Sequence, residues 1–497
     1  MTSPRAMPRM EAADIAITMA FLLVMLVNLA HHAMWRDELN AWGIAVASPS
    51  LADLFHNMHY EGHPALWHAL LWLAAKVSTA PQAMQAVHAV IGGALVLLIG
   101  LFSPFGRLER VLLLAGYFVA FEYTLVSRNY GICLLLALVF AHTRSTRPRL
   151  LWLNAALLAL LANTTIWGTI LSGALALEYL IDRLSGDRPL PLGRLAGAAL
   201  LYMAGVALAG ATVMPAPDIG VTAAHPFTSA GDPLHFLRTL MRFVEVPAFP
   251  VRPAILAPHF WLEPPERGSL ADLWRPLLLL PLPILAIAII FRRDPMLLMI
   301  ITLTVAAAVL FGHVVFSSGI RHWGISFVVV LTCLWMQRLR RPGASLLVLA
   351  LLVAGAIGGL QAIAAEWRQP YSQAGNAAAW IRQNNLQDLP LAGVLDFKAI
   401  AVAQYLQRPI AMPECACTAT FLRFSRQRDD FRLDQLPQAL VGLARAQSPQ
   451  DLLFIASWQL SDQQRQALAR ASLRTTLLSA HVGSRMHEDF YLYRIIH

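Results

Sequence analysis

Three charged residues stand together at the end of the first apolar stretch: Arg36, Asp37 and Glu38, in MWRDELNAWGIA (34–45). Neighbours on a helix point about 100° apart, so Asp37 and Glu38 cannot form a symmetric pair on one face. One can face a cavity while the other pairs with an arginine. A carboxylate at a membrane surface can act as general base toward a hydroxyl. The bland alternative is an acidic helix N-terminus favoured by the dipole.

Two further arginines stand at the ends of apolar runs: Arg128 in EYTLVSRNYG and Arg321 in SSGIRHWG, with Glu122, Tyr130 and His322 close by in sequence. Snorkelling to the headgroups accounts for any one of them. Three such arginines with polar neighbours predict a shared cavity. A guanidinium fork suits a phosphate, to which it donates two parallel hydrogen bonds.

Histidine is concentrated early, at His31, His32, His56, His59, His63 and His68. On a helix His56, His59 and His63 would share a face near Glu61 and could ligate a metal. The pattern is not HExxH, and a residue before proline, as His63 is, is biased away from helix. His59, Glu61 and His63, with Arg36, are therefore expected to line a substrate cavity at the headgroup level. No metal ligands are assigned, and dependence on a divalent ion stays open.

The elements that position these residues are membrane spans. Of the 497 residues 57% are hydrophobic and 13% charged, where soluble domains carry about 25% charged residues. Apolar runs recur near the length of about 20 residues that crosses a bilayer. They place spans near 14–34, 82–103, 110–126, 130–143, 150–166, 168–182, 195–214, 276–292, 295–315, 322–338 and 345–365. That is a polytopic α-helical protein with about eleven transmembrane helices. The net charge of +9 reads as topology, not as a nucleic-acid footprint, because the arginines crowd short loops. These are GRLER, TRSTRPR, DRLSGDRPLPLGR, FRRD and QRLRRPG. All fall on the cytoplasmic side only if the chain crosses once between residues 34 and 106. The apolar stretch 63–78 is then a half-inserted or interfacial helix, and its Trp67 and Trp72 suit an interface. The N-terminus lies inside, with an uncleaved first span, and the C-terminus outside.

Two outer loops follow, 34–81 and 215–275, and then a tail from 366 to 497 beyond a membrane domain of 1–365. In the tail NAAAWIRQN, QALVGLARAQ and SDQQRQALARA alternate with LAGVLDF, DLLFIASW and FYLYRII. That alternation predicts a small extracytoplasmic α/β domain. Cys415 and Cys417, in CAC, look too close for an ordinary disulfide and are expected as free thiols, with a redox or metal site as the alternative. Arginine-rich, lysine-poor usage points to a bacterial source, hence to an inner membrane with these segments in the periplasm.

The motifs in this order resemble the GT-C superfamily of membrane glycosyltransferases, which includes protein O-mannosyltransferases and lipid A aminoarabinose transferases. The matching pieces are RDE at 36–38, EGHPAL at 61–66 and SRNYG at 127–131. A second proline, frequent in the family, is replaced by Ala65. The likeness covers roughly residues 10–145 through motifs and the later spans through layout. It implies a donor sugar on a polyprenyl phosphate or diphosphate, and inverting transfer to an extracytoplasmic glycan, lipid or protein. Asp37 would be the base and Glu38 its support or a holder of the acceptor. Arg128, with Tyr130 in the same motif, would bind the departing lipid phosphate. Arg321 and His322 join them by topology alone. Nothing matches a P-loop, which agrees with an energy source carried by the lipid. Two other classes fit less well. A lipid or sugar transporter would place its charges mid-span and show repeats. A lipid-linked oligosaccharide polymerase or ligase would draw on the 215–275 loop.

Overall fold

A computed structural model describes residues 11–148, 150–185, 191–220, 232–248, 250, 278–316, 319–447 and 450–496. Much of the expected 215–275 loop lies outside the described residues.

The chain opens with α1 (Ala12–His31), α2 (Arg36–Ala47), α3 (Leu51–Met58), α4 (Leu66–Ala75) and α5 (Gln82–Phe102). Next come α6 (Arg107–Leu114), α7 (Tyr130–Thr146), α8 (Leu151–Ala162), α9 (Ile166–Ser185), α10 (Leu192–Val213) and α11 (Pro233–Ala248). Helices Pro281–Phe291, Pro295–Val314, Ile320–Trp323, Ile325–Arg340 and Leu346–Arg368 complete the bundle. Five of these are long and apolar enough to cross a bilayer unaided: α1, α5, α10, Pro295–Val314 and Leu346–Arg368. Shorter apolar helices pack among them. At 10 residues, α4 rises about 15 Å, half a hydrocarbon core. It has the length expected of a half-inserted helix.

The run 110–126, expected as one span, is broken. α6 stops at Leu114, Gly116 is extended, and Tyr117–Glu122 forms a π-helical turn. Irregular backbone at such a depth survives only where protein covers it. Here Leu346–Arg368 supplies the cover: a Cβ on its Gly359 would collide with the Ala115 carbonyl, so only glycine lets the two backbones meet.

Charges mark the two ends of the bundle. At one end Arg107 contacts Asp14 at 2.9 Å, Arg338 contacts Glu109 at 2.9 Å and Arg341 contacts Asp294 at 3.3 Å. These are the arginines of the predicted basic loops. Asp37, Arg128 and Arg321 meet at the other end, under the C-terminal domain.

That domain is the α/β unit that the alternation of patterns predicts. Its strands are β1 (Leu391–Val394), β2 (Ile410–Met412), β3 (Cys417–Ala419), β4 (Leu452–Ala456), β5 (Arg474–His481) and β6 (Phe490–Ile496). They form one mixed sheet in the order β3-β2-β1-β4-β6-β5. β1 pairs in parallel with β2 and β4, and the remaining pairings are antiparallel. Helices Ala374–Gln383, Asp396–Leu406, Leu436–Gln447 and Asp462–Arg470 match the amphipathic stretches. Cys415 and Cys417 are joined in a disulfide, contrary to the expectation of free thiols. Ala416 between them is left-handed, with φ of 48°. This folds the chain back and brings the two Cα atoms to 5.1 Å, within disulfide range.

The sheet domain and α2 share one core. Leu39, Trp42 and Ala45 of α2 and Trp67 and Leu71 of α4 pack with Ile400, Val402 and Leu406. Gly43 permits this: a Cβ there would strike Gln404 and the Thr420 carbonyl. α2 is thus packed between the bundle and the C-terminal domain.

Candidate active site

The chain enters α2 after an extended Trp35, and the two adjacent acids diverge as helix geometry requires. Glu38 turns inward and is fully buried. It accepts the Trp35 N–H at 3.1 Å and the Ser127 N–H at 2.6 Å. Its third partner is a histidine, not an arginine: His32 Nε2 lies 3.0 Å away, and Nδ1 of the same ring is 3.0 Å from Glu366. Both ring nitrogens face carboxylates, so both must donate and the ring is the imidazolium. Arg36 cannot fill this role because it turns outward, toward the C-terminal domain. Glu366–His32–Glu38 ties together the last helix of the bundle, the end of α1 and α2. Three charges buried together are tolerated only because they are paired and hydrogen-bonded.

Asp37 turns the other way, with a third of its side chain exposed. Arg321 donates to its Oδ2 at 2.8 Å, and Arg36 Nε lies 3.6 Å from Oδ1. Arg128 donates to the Asp37 carbonyl, so it holds the backbone of the same residue. Burial opposes ionisation of Asp37. The positive charges of Arg321, Arg36 and Arg128 outweigh it and hold the carboxyl below its usual range.

The other predicted residues gather here, with one exception. Arg128 also donates to His63 Nε2 at 2.8 Å, which places the imidazole proton on Nδ1. Burial and the Arg128 charge keep His63 neutral, well below its ordinary value. Glu61 accepts from Asn40. Burial pushes its carboxyl up to about 6, with Arg128 pulling down and Asp37 pushing further up. The Tyr130 ring stacks on Tyr123 at 6.0 Å and meets the edge of His322 at 5.6 Å. His322 accepts the Gly319 N–H at Nδ1, 2.8 Å, among Trp167 and Phe316. The Arg321 guanidinium also covers the Trp35 ring at 4.6 Å. His59 is not brought in. It is half-buried and donates to the Met214 carbonyl at 2.5 Å, because α3 ends at Met58 and the helical face of His56, His59 and His63 never forms.

Among the buried polar atoms of the cluster without a partner are Arg128 Nε and the Tyr130 hydroxyl. Such atoms are costly unless something hydrogen-bonds them. A divalent cation fits poorly. Asp37 is held by Arg321 and Arg36, Glu61 by Asn40, and three guanidiniums repel added positive charge. Among the described residues no three metal-ligating side chains converge.

An apolar cavity of about 470 Å³ opens within the bundle, lined by Phe118, Leu240, Phe243, Ile287, Val305 and Phe327 among others. Phe118 packs on Tyr123, whose hydroxyl donates to the Arg321 carbonyl at 3.2 Å. One aromatic layer thus separates the charged cluster from the apolar space.

Sequence reasoning missed His32, Glu366, Asn40 and Glu488. Glu366 had a signal, an acid at the end of an apolar run. Glu488 sits in a polar turn with nothing to single it out.

The fold and cluster define a multi-pass helical membrane protein whose charged site lies beneath an α/β domain. No family model matches the sequence, and no curated protein matches it. In fold the chain is similar to ArnT from Cupriavidus metallidurans. The crystal structure of ArnT bound to undecaprenyl phosphate matches over 97% of each chain, with a TM-score of 0.53 and 14% identity. The apo crystal structure matches over the same shares at a TM-score of 0.51 and 14% identity. The chain therefore shares the fold of these structures over nearly its whole length.

Proposed function

We propose that this protein is a glycosyltransferase of the bacterial inner membrane. It moves a sugar from a polyprenyl-phosphate carrier to an acceptor on the periplasmic side. One observation carries the reading: a partly exposed carboxylate, Asp37, is ringed by three guanidiniums, with an apolar cavity one aromatic layer away. The ring suits a phosphate and the cavity suits isoprenyl units. The resemblance of the whole fold to a protein crystallised with undecaprenyl phosphate supports it. The disulfide in the C-terminal domain fits an oxidising compartment, which supports the periplasmic placement.

In this reading the phosphate enters between Arg128 and Arg321 and satisfies Arg128 Nε and the Tyr130 hydroxyl. The acceptor hydroxyl attacks the anomeric carbon from the face opposite the phosphate. A carbon–oxygen bond forms, the bond to the phosphate oxygen breaks, and its electron pair stays on that oxygen. The acceptor proton goes to Asp37. A single displacement inverts the anomeric centre. As Asp37 gains its proton it releases its hold on Arg321, and that guanidinium is free to stabilise the negative charge growing on the phosphate. Glu38, enclosed by His32, Trp35 and Ser127, positions Asp37 and does not touch substrate.

The test is purified protein in nanodiscs with a panel of polyprenyl-phosphate sugars, following release of the lipid phosphate. Turnover by the wild type that collapses in Asp37→Asn supports the reading. Turnover equal in both removes Asp37 as base. No binding of any lipid-linked sugar moves the function to transport or to presentation of the outer domain.

A further inference from the structure

Glu488 is fully buried and takes no part in the chemistry above. It belongs to the C-terminal domain, in the turn before β6, yet its carboxylate reaches the first residue of α2. Its two oxygens accept the Arg36 N–H at 3.2 and 3.3 Å, and the Arg36 guanidinium lies 3.6 Å from one of them. Ser372 is hydrogen-bonded to the same carboxylate. The Glu488 carbonyl accepts the Gln373 N–H at 3.1 Å, which pins the turn.

A helix begins with N–H groups that have no partner inside it, and a nearby carboxylate is the favoured cap. Trp35 at the cap position has no side chain able to accept. Glu38 takes the Trp35 N–H from within the helix. The Arg36 N–H is left to an acid 452 residues away. Asp37 is the next residue, and Arg36 contacts its carboxylate.

We propose that Glu488 is a positioning residue for Asp37: it caps the helix that carries Asp37 from across the domain interface, so docking of the C-terminal domain sets the geometry of that carboxylate. The inference rests on the reading of Asp37 as the base. The C-terminal domain is then a structural part of the catalytic centre and not only a surface for acceptors.

The arrangement is pH-sensitive. Burial pushes the Glu488 carboxyl up to about 7, with Arg36 pulling down and Asp37 pushing up. The other charged or titratable groups facing it are Lys398 and Tyr405, on the helix packed against α2, and its neighbour Asp489. Above about pH 7 the carboxylate is ionised and both oxygens accept. Below it one oxygen becomes a donor and the cap weakens. Activity therefore rises with pH through about 7.

The experiment compares full-length wild type, Glu488→Gln and Glu488→Asp in nanodiscs, with two readouts. The first is hydrogen exchange of the peptide 34–47, corrected for intrinsic rates, at pH 6 and pH 8. It needs no substrate. The expected result is protection that increases with pH in the wild type and is lost in Glu488→Gln at both. The second is the pH profile of lipid-phosphate release. Glu488→Gln is expected to lose about tenfold in kcat with little change in donor KM, since small misplacement of a reacting group is costly. It should also lose the inflection near pH 7, and Glu488→Asp should restore part of the rate. Superimposable profiles, or exchange unchanged by Glu488→Gln, overturn the proposal. A wild type that releases no lipid phosphate while its exchange follows pH as described overturns the reading of Asp37 and leaves the cap established.

Discussion

Asp37 and Arg321 lie 284 residues apart in sequence and meet at 2.8 Å. In the proposed mechanism the guanidinium that holds Asp37 ionised is also the one best placed to take up charge when the phosphate departs. Arg321→Ala should therefore do two things. Turnover should fall by about 10²–10³-fold, the scale of losing one donor to a developing oxyanion. The Asp37 carboxyl, freed of its strongest counter-charge, should titrate at higher pH and give the rate profile a new acid limb. Arg321→Lys keeps the charge but not the fork, so it should restore the profile and not the full rate.

Glu61 should set a second titration. Its carboxyl lies near 6 because burial disfavours the charge. The raised value means that Glu61 is neutral below about pH 6 and ionised above it. Its ionised form accepts from Asn40 and faces Arg128 and so orders the loop that carries His63. Turnover should rise with pH through about 6, and Glu61→Gln should remove that inflection without removing the one assigned to Glu488.

His32 holds two buried carboxylates apart. His32→Ala leaves Glu38 and Glu366 buried without their shared cation, a change that costs about 3–5 kcal/mol. A marked fall in melting temperature is expected, and adding Glu366→Gln should recover part of it. A melting temperature unchanged by His32→Ala would contradict the ionic bridge.

The disulfide offers a test of compartment. Protein prepared without reductant should leave Cys415 and Cys417 unmodified by a thiol reagent until it is reduced. Cys133 and Cys333 are buried and should react only after unfolding. Because the closed loop is short, Cys415→Ser with Cys417→Ser should cost little stability, about 1–2 kcal/mol.

Much of this was legible in the chain. Apolar length fixed the membrane class. The alternation around LAGVLDF and FYLYRII gave the α/β domain, because side-chain period follows local backbone geometry. RDE, EGHPAL and SRNYG put Arg36, Asp37, Glu61, His63, Arg128 and Tyr130 into one expected cavity, and the structure brings those six together. His59 fell outside because α3 stops at Met58 and its ring turns to the Met214 carbonyl. The break at 115–116 was missed because hydropathy measures length and not continuity. Bridging of Cys415 and Cys417 depended on the left-handed turn at Ala416, which spacing alone does not reveal.

The sequence by itself determined which residue types reach the membrane surface and that Asp37 and Glu38 must diverge, since 100° per residue is a property of any helix. Only the tertiary structure decided which of the two is free. His32 and Glu366 arrive from two other helices to enclose Glu38, while Arg321 and Glu488 come from far along the chain to aim Asp37. Those choices rest on packing between distant segments, and local periodicity carries no information about which distant segment will arrive.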